Sequence, residues 1–194
     1  MNTDDQSLLD LFRASGAWLE GHFRLSSGLH SGGYLQSALV LQHPQHAATI
    51  GERLAAEVRT WNPTVVLSPA LGGLIVGHEV ARALNTRAIF AERQDTHLTL
   101  RRGFTLDPSD RVLVVEDVVT TGLSTQETIA VARSHGAIVV GAATIVDRID
   151  GAAQLGVPFV ALLTLHVPAW QPAECPLCQQ QSPLQKPGSR PSAE

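Results

Sequence analysis

Short apolar runs rich in Val, Ile and Leu alternate with helix-like segments from residue 64 to residue 165. Such an alternation carries the chain from one strand through a crossover helix to the next, so it predicts a mainly parallel sheet with helices on both faces. The fold class is therefore α/β. The predicted strands are TVVLS (64–68), RAIFA (87–91), RVLVVE (111–116), AIVVGAATIVD (137–147) and PFVALLTL (158–165), and the predicted helices between them span 72–84 and 124–135.

Two further helices are predicted closer to the N-terminus. Residues 4–21 begin with acids suited to a helix N-terminus, and Gly16 is expected to break this helix. Residues 46–61 form a second amphipathic pattern that needs a sheet to pack on. The segment between them that begins at residue 22 is loop-like up to residue 36. The predicted apolar faces are Leu8, Leu11, Phe12 and Leu19 in the first helix and Ile50, Leu54, Val58 and Trp61 in the second.

The size of the chain allows one sizeable α/β domain with a small appendage, because 44% of its 194 residues are hydrophobic. We expect the domain to cover 1–166, with 1–45 as its N-terminal part. Six of the eleven prolines follow Val167, so 167–194 is predicted to be an extended, turn-rich tail that packs on the domain or is partly disordered.

Charge and hydropathy exclude several classes of partner. The net charge of −4 argues against nucleic acid, which is bound through clustered Lys and Arg. No apolar run is long enough to span a membrane, and the acidic N-terminus is unlike a signal peptide. We therefore expect a cytoplasmic protein with a small-molecule ligand.

The two cysteines, Cys175 and Cys178, lie in the sequence ECPLC and do not form a disulfide framework. One such pair supplies two ligands, whereas a structural zinc ion takes four, so a tight turn with reduced thiols is favoured. A metal that bridges two subunits and a redox pair remain alternatives. Seven histidines show no metal-ligand spacing and are interpreted as structural or exposed, namely His22, His30, His43, His46, His78, His135 and His166.

The stretch RVLVVEDVVTTGLST carries the most informative chemistry. Two carboxylates, Glu116 and Asp117, end a predicted strand, and small hydroxyl residues with a glycine precede a helix. Backbone N–H groups at a helix N-terminus bind phosphate, and two acids nearby suit the hydroxyls of a sugar. The pattern thus indicates a ribose 5′-phosphate site. Neither G-x-x-x-x-G-K-[ST] nor G-x-G-x-x-G occurs, and a receiver domain would place its paired acids near the N-terminus. Solvated acids at a strand end are the remaining alternative.

VLVVEDVVTTGLST resembles the phosphoribosyl diphosphate (PRPP) signature of the type I phosphoribosyltransferases. Four further segments resemble the orotate phosphoribosyltransferases among them: FRLSSGLHSGGYLQ (23–36), SPALGG (68–73), TIVDR ending at Arg148, and the ECPLC…PLQKPGSR tail. The resemblance implies the type I phosphoribosyltransferase fold, with an N-terminal subdomain that includes a base-binding loop. It also implies a flexible hood loop over 91–110 and a peptide after Ala70 that is often cis.

The activity implied by the resemblance is transfer of the phosphoribosyl group of PRPP to orotate. The resemblance also implies Mg²⁺ held mainly by PRPP and water, and a homodimer in which the hood loop reaches the neighbouring active site. Asp117, Glu116 and Arg102 are the implied catalytic residues. The implied PRPP-binding residues are Ala70, Leu71, Gly72, Arg93, His97, Arg101, Glu116, Asp117, Val118, Val119, Thr120, Thr121, Gly122, Leu123 and Ser124, and the implied orotate-binding residues are Ser26, Tyr34, Thr120 and Arg148.

Two departures from the family pattern keep alternatives open. Gly32 replaces the usual proline, and Ser26 stands where a lysine can occur. A phosphoribosyltransferase for another nucleobase is the first alternative. A regulator that senses PRPP without catalysis is the second, although such regulators usually add a nucleic-acid-binding domain or a basic surface.

Overall fold

A computed structural model describes residues 3–25, 27–148 and 155–186, with side chains from residue 6 onward. The chain divides into two compact units. We call Met1–Val40 with His166–Glu194 the terminal unit and Leu41–Leu165 the central unit.

The helices and strands follow one another along the chain in a largely alternating order. They are α1 (Thr3–Ala14), β1 (Trp18–Arg24), β2 (His30–Leu35), α2 (Ala38–Leu41), α3 (Pro44–Val58), β3 (Val65–Pro69), α4 (Gly73–Leu84), β4 (Arg87–Gln94), β5 (His97–Leu100), β6 (Arg111–Val119), α5 (Leu123–Ser134), β7 (Ile138–Asp147), β8 (Phe159–Thr164), β9 (Ala169–Trp170), α6 (Pro176–Gln179) and β10 (Leu184–Gln185).

The central unit is built on a six-stranded sheet in the order β5-β4-β3-β6-β7-β8. All neighbouring strands are parallel except β5, which pairs antiparallel with β4. Successive residues of β3 and β6 are fully buried, as expected where both faces of a parallel sheet are covered. Ile129 and Ala132 of α5 belong to the cluster on one face, and Gly77 of α4 lies against Val66 on the other. The predicted α/β fold is confirmed.

The terminal unit contains a four-stranded sheet in the order β10-β1-β2-β9. Two expectations were wrong for this unit. Leu19 lies on β1 and not on a helical face, because α1 ends at Ala14 and the chain turns at Gly16, whose φ is +68°. The loop-like segment from residue 22 is instead an antiparallel hairpin of β1 and β2, closed by a hydrogen bond from the Leu25 N–H to the Leu29 carbonyl.

The predicted proline-rich tail contributes strands to this sheet. β9 pairs antiparallel with β2, and β10 pairs parallel with β1, so the tail occupies both edges of the hairpin. The boundary expected at residue 166 stays a prediction.

The predicted hood loop contains regular structure in its first half. β4 continues to Gln94, beyond its predicted end, and forms a hairpin with β5. Past β5, the residues up to β6 form turns and irregular chain. None of the helices that the structure describes has both the length and the apolar character needed to cross a membrane.

Candidate PRPP and base site

The carboxyl ends of β3, β6 and β7 lie side by side in the central sheet. Residues 70–72 follow β3, residues 120–122 follow β6, and Arg148 follows β7. Ligands of open α/β sheets bind at this edge, because loops and helix N-termini converge there. Three segments singled out from the sequence are therefore neighbours in the fold.

Asp117 on β6 packs directly against the backbone of Gly72. A Cβ atom on Gly72 would lie 2.5 Å from Asp117 Oδ1 and 3.0 Å from its Cγ. The φ of Gly72 is −57°, an ordinary helical value, so space and not conformation requires glycine at this position. The cis peptide expected after Ala70 is present between Ala70 and Leu71. The loop after β3 and the carboxylate on β6 thus form one surface.

Glu116 is buried, with 8% of its surface exposed, and both of its carboxylate oxygens accept hydrogen bonds from α5. The Ser124 hydroxyl donates to Oε1 at 2.6 Å, and the Thr125 hydroxyl donates to Oε2. Burial raises the pKa of Glu116, and the two hydroxyl donors oppose this rise. Glu116 therefore ties the strand end to the first turn of the following helix.

The raised pKa of Glu116 predicts a specific dependence of stability on pH. The folded state holds the proton more tightly than the unfolded chain, whose Glu pKa is about 4.5. Stability assigned to Glu116 is thus present below pH 4.5 and is lost as pH rises toward the folded pKa. We measure the free energy of unfolding with urea for Glu116→Gln and for the wild type. The value for the variant minus that for the wild type should increase as the pH rises above 4.5. Glu57→Gln, an exposed carboxylate of α3, is the control; equal pH profiles for both variants would contradict the assignment.

The loop after β6 has the geometry of an anion site. Gly122 caps α5 with a φ of +75°, and among the described residues no side chain caps this helix at the N-cap position. The first N–H groups of an α-helix have no acceptor within the helix and attract anions. Thr120 and Thr121 are exposed beside them, and the Thr121 hydroxyl lies 3.4 Å from the Leu123 nitrogen.

Arg148 lies beside the start of this loop. Asp147 pairs with Val119 in the register of β7 and β6, and the Arg148 N–H donates to the Val119 carbonyl at 2.9 Å. Val119 directly precedes Thr120, the first residue of the loop expected to bind phosphate. The backbone of Arg148, which is expected to bind the base, is therefore hydrogen-bonded to the residue before that loop. Arg148 itself is partly buried.

The four hood-loop residues expected to act on PRPP differ in their ion pairs. Arg93 donates to Glu127 at 2.5 Å, and Arg102 donates twice to Glu92, at 2.7 and 2.8 Å. The hydrogen bond from Arg102 lowers the pKa of Glu92. Arg101 and His97 are exposed and make no ion pair within the described part of the chain.

The structure gives no support for two further residues that were expected to bind the base. Tyr34 lies on β2 in the terminal unit, where its ring centroid is 5.9 Å from that of Phe23. Ser26 lies outside the residues that the structure describes. The base-binding roles of Tyr34 and Ser26 stay predictions.

Sequence reasoning missed one convergence of polar side chains. His22 and His30 meet Cys175 and Cys178 in the terminal unit, and the four ligand atoms all lie within 4.8 Å of one another. The sequence interpreted these two histidines as structural or exposed from their spacing alone; both are buried, and their convergence with the cysteines is visible only in the fold. The ECPLC motif was the available signal, but the spacing of the histidines did not connect them to it.

Known proteins similar to this chain share its fold and most of its length. A family profile described as a phosphoribosyl transferase domain matches residues 37–156. An orotate phosphoribosyltransferase of Pelotomaculum thermopropionicum is 51% identical over 183 residues, covering 94% of this chain and 96% of that protein. One of Heliobacterium modesticaldum is also 51% identical, over 185 residues, with coverage of 94% and 97%.

A solved orotate phosphoribosyltransferase of Aeropyrum pernix has a TM-score of 0.69 at 30% identity, covering 81% of this chain and 93% of that one. The Mycobacterium tuberculosis enzyme in complex with PRPP has a TM-score of 0.65 at 28% identity, with coverage of 84% and 96%. Together with the acidic strand end, the glycine loop and the helix N-terminus that no described side chain caps, these similarities show that the chain belongs to the orotate phosphoribosyltransferase family.

Proposed function

We propose that this chain transfers the phosphoribosyl group of PRPP to orotate, giving orotidine 5′-phosphate and diphosphate, a step of pyrimidine nucleotide synthesis. The observation that carries the proposal is the adjacency of Arg148 to the loop after β6, through the hydrogen bond to Val119. This adjacency brings the backbone of Arg148, whose guanidinium is of the kind best suited to a planar carboxylate, beside the loop that we propose binds the phosphate. The relatives named above are called orotate phosphoribosyltransferases.

The PRPP site extends along the sheet edge. We assign the 5′-phosphate to the N–H groups of residues 120–124 with the hydroxyls of Thr120 and Thr121, and the diphosphate to the loop of residues 70–72. From the sequence, both Glu116 and Asp117 were predicted to hold the ribose hydroxyls. Because Ser124 and Thr125 engage both oxygens of Glu116, Asp117 holds the ribose and Glu116 positions the phosphate-binding helix.

The chemistry is displacement at the anomeric carbon with diphosphate as the leaving group. Positive charge develops on the ribose ring, and negative charge develops on the leaving group. The Asp117 carboxylate stabilises the ring and orients it for in-line attack, while loop N–H groups bind the departing oxygens. The ring nitrogen of the base bonds to the anomeric carbon as the bond to diphosphate breaks, and its proton passes to the released diphosphate or to water, so no covalent enzyme intermediate is needed.

Mg²⁺ is the proposed metal of this reaction. The partly exposed carboxylate of Asp117, beside the diphosphate loop, suits a hard cation that keeps most of its water and substrate ligands. When bound, the ion neutralises charge on the diphosphate. The residues that hold the substrate oxygens around it are Asp117 and the backbone of residues 70–72.

The hood loop is proposed to act across a homodimer. Arg102 is 62% exposed, and its ion pair with Glu92 is of the solvent-exposed kind that is worth little and is easily exchanged for a diphosphate. Arg101, without an ion pair in the described residues, is available beside it.

Mixing two inactive variants tests the shared site. Arg102→Ala removes the hood arginine, and Asp117→Ala removes the ribose-holding carboxylate. In a mixed dimer, one site carries both changes and the other carries neither, so equal mixing after subunit exchange should restore about a quarter of wild-type activity. Each variant mixed with itself is the control. Activity that stays at the level of the separate variants, with exchange shown by mass spectrometry of the mixed dimers, would contradict a site shared in this way.

The substrate assay uses purified protein, PRPP and Mg²⁺ with orotate, uracil, hypoxanthine and adenine in turn, measuring diphosphate release. We expect turnover with orotate and a loss when Mg²⁺ is omitted. Consumption of a purine but not of orotate would replace the proposal with a phosphoribosyltransferase for another base. PRPP binding without turnover of any base would indicate a PRPP sensor. The location of such an enzyme in the cytoplasm stays a prediction.

A further inference from the structure

Four soft or borderline metal ligands meet at one point of the terminal unit, which contributes none of the proposed PRPP-site residues. Both imidazoles and the Cys175 thiol are buried, with His22 2%, His30 5% and Cys175 0% exposed. Cys178 reaches the surface beside them. Buried polar groups carry a desolvation cost, so such a convergence needs partners for all of its members.

Four of the distances between ligand atoms are close to those of a tetrahedral shell. His22 Nε2 lies 3.0 Å from His30 Nδ1, 3.4 Å from Cys175 Sγ and 3.7 Å from Cys178 Sγ, and Cys178 Sγ lies 3.2 Å from His30 Nδ1. Bonds of about 2.0 Å to nitrogen and 2.3 Å to sulfur place the ligand atoms of a tetrahedral zinc ion about 3.3–3.8 Å apart. The group needs little movement to close around an ion.

The hydrogen-bonding capacity of the group also favours a cation. His22 Nδ1 lies 2.9 Å from the Ser182 carbonyl, which can only accept, so Nδ1 carries the proton and Nε2 of the neutral ring offers one lone pair. Three neighbours converge on that lone pair, and it can accept a hydrogen bond from only one of them well. A central cation would be bonded by all four groups at once.

The Ser182 contact is itself typical of a metal-binding histidine. Such a ligand usually donates its second N–H to a carbonyl or carboxylate, which fixes the tautomer and aims the other nitrogen at the metal. In this chain the carbonyl comes from the same tail that carries the cysteines. The tail therefore supplies the two thiol ligands and also the hydrogen bond that orients His22.

The topology explains why these residues meet. β9 pairs with β2 at one edge of the hairpin, and β10 pairs with β1 at the other. The chain between them, which includes α6 with Cys175 at its N-cap, therefore crosses the hairpin. His22 and His30 are among the hairpin residues that it meets. His22 lies within a register shift of β1 between Glu20 and Phe23.

We propose that His22, His30, Cys175 and Cys178 bind one Zn²⁺ ion, which fastens the C-terminal tail to the β1–β2 hairpin. Two thiolates with two imidazoles in a tetrahedral, closed arrangement suit zinc better than oxygen-seeking ions such as Mg²⁺. A closed four-ligand site leaves no position for substrate, so the role is structural. The proposal is independent of the transferase function.

Metal binding is tested on the full-length, tag-free chain. Apo protein, prepared by chelation under reducing conditions, is titrated with Zn²⁺ and with Co²⁺ as a spectroscopic probe. We expect one ion per chain, strong visible bands of tetrahedral Co²⁺, and thiolate-to-cobalt charge transfer that Zn²⁺ abolishes. Sub-stoichiometric zinc with an octahedral Co²⁺ spectrum would overturn the proposal, as would a Cys175–Cys178 disulfide that forms in preference to the metal complex.

Variants separate ligation from general stability. Cys178→Ser and His30→Ala should each lose the charge-transfer or tetrahedral signature and bind zinc at least tenfold more weakly, whereas His78→Gln, an exposed histidine of α4, should match the wild type. Zinc should also raise the thermal midpoint of the wild-type apo protein by about 10 °C. This measurement needs no substitution, so it stands if a variant does not fold. An unchanged midpoint, or equal zinc binding by Cys178→Ser and His78→Gln, would exclude these four residues as the ligands.

Discussion

Asp117→Asn is expected to lower kcat/KM for PRPP by about 10²–10³-fold, the range seen when one preorganised group that stabilises transition-state charge is removed. The asparagine keeps the size of the side chain but removes the negative charge beside the ribose. The loss should appear mainly in kcat, because charge on the ring is largest in the transition state. Steady-state kinetics with saturating orotate measure the effect.

Gly72→Ala is the matched variant, because it displaces the same carboxylate without removing it. The added Cβ would meet Asp117 Oδ1 at 2.5 Å, while the helical φ of −57° accommodates alanine. A smaller loss of kcat than in Asp117→Asn, with unchanged far-ultraviolet circular dichroism, is expected. If Asp117→Asn retained activity within threefold of the wild type, the carboxylate would not be the ribose-holding group.

The central sheet was predictable because its signal is local. β3 and β6 are buried on both faces and therefore appear as unbroken apolar runs. The hairpin of the terminal unit was not predictable in this way. β1 has polar and exposed positions, including Leu19 at 36% exposure, and the outer neighbours of the hairpin, β10 beside β1 and β9 beside β2, come from the opposite end of the chain. Nothing in the composition of β1 identifies such distant partners.

In the candidate site, too, the features set by local sequence were predictable and those set by distant residues were not. Residues next to strand ends, such as Asp117 and Arg148, could be placed at one edge of the sheet from the predicted parallel strands, because parallel strands have their carboxyl ends at the same edge. The engagement of Glu116 by two hydroxyls was harder to foresee, although Ser124 and Thr125 follow it at the start of the next helix. The proposed zinc site joins residues up to 156 positions apart and required the fold.

Arg148→Ala is expected to lower kcat/KM for orotate by about 30- to 1000-fold, equivalent to about 2–4 kcal/mol for a lost bidentate guanidinium–carboxylate contact. The loss should appear mainly in the KM for orotate, since the carboxylate is bound in both ground and transition states. PRPP binding, measured by calorimetry without orotate, should remain unchanged, because the 5′-phosphate and diphosphate loops do not use this side chain. The reverse reaction from orotidine 5′-phosphate should be weakened in parallel.

Two further variants test whether the lower kcat/KM of Arg148→Ala is caused by the loss of carboxylate recognition. Arg148→Lys keeps the charge but cannot form the paired hydrogen bonds, so it should recover only part of the loss. Arg133→Ala, an arginine in the last turn of α5, controls for a general loss of positive charge in the central unit. Uracil lacks the carboxylate, so Arg148→Ala should narrow the preference for orotate over uracil by the same factor as it lowers kcat/KM for orotate. An unchanged preference, with the KM for PRPP raised instead, would assign Arg148 to PRPP binding and not to recognition of the orotate carboxylate.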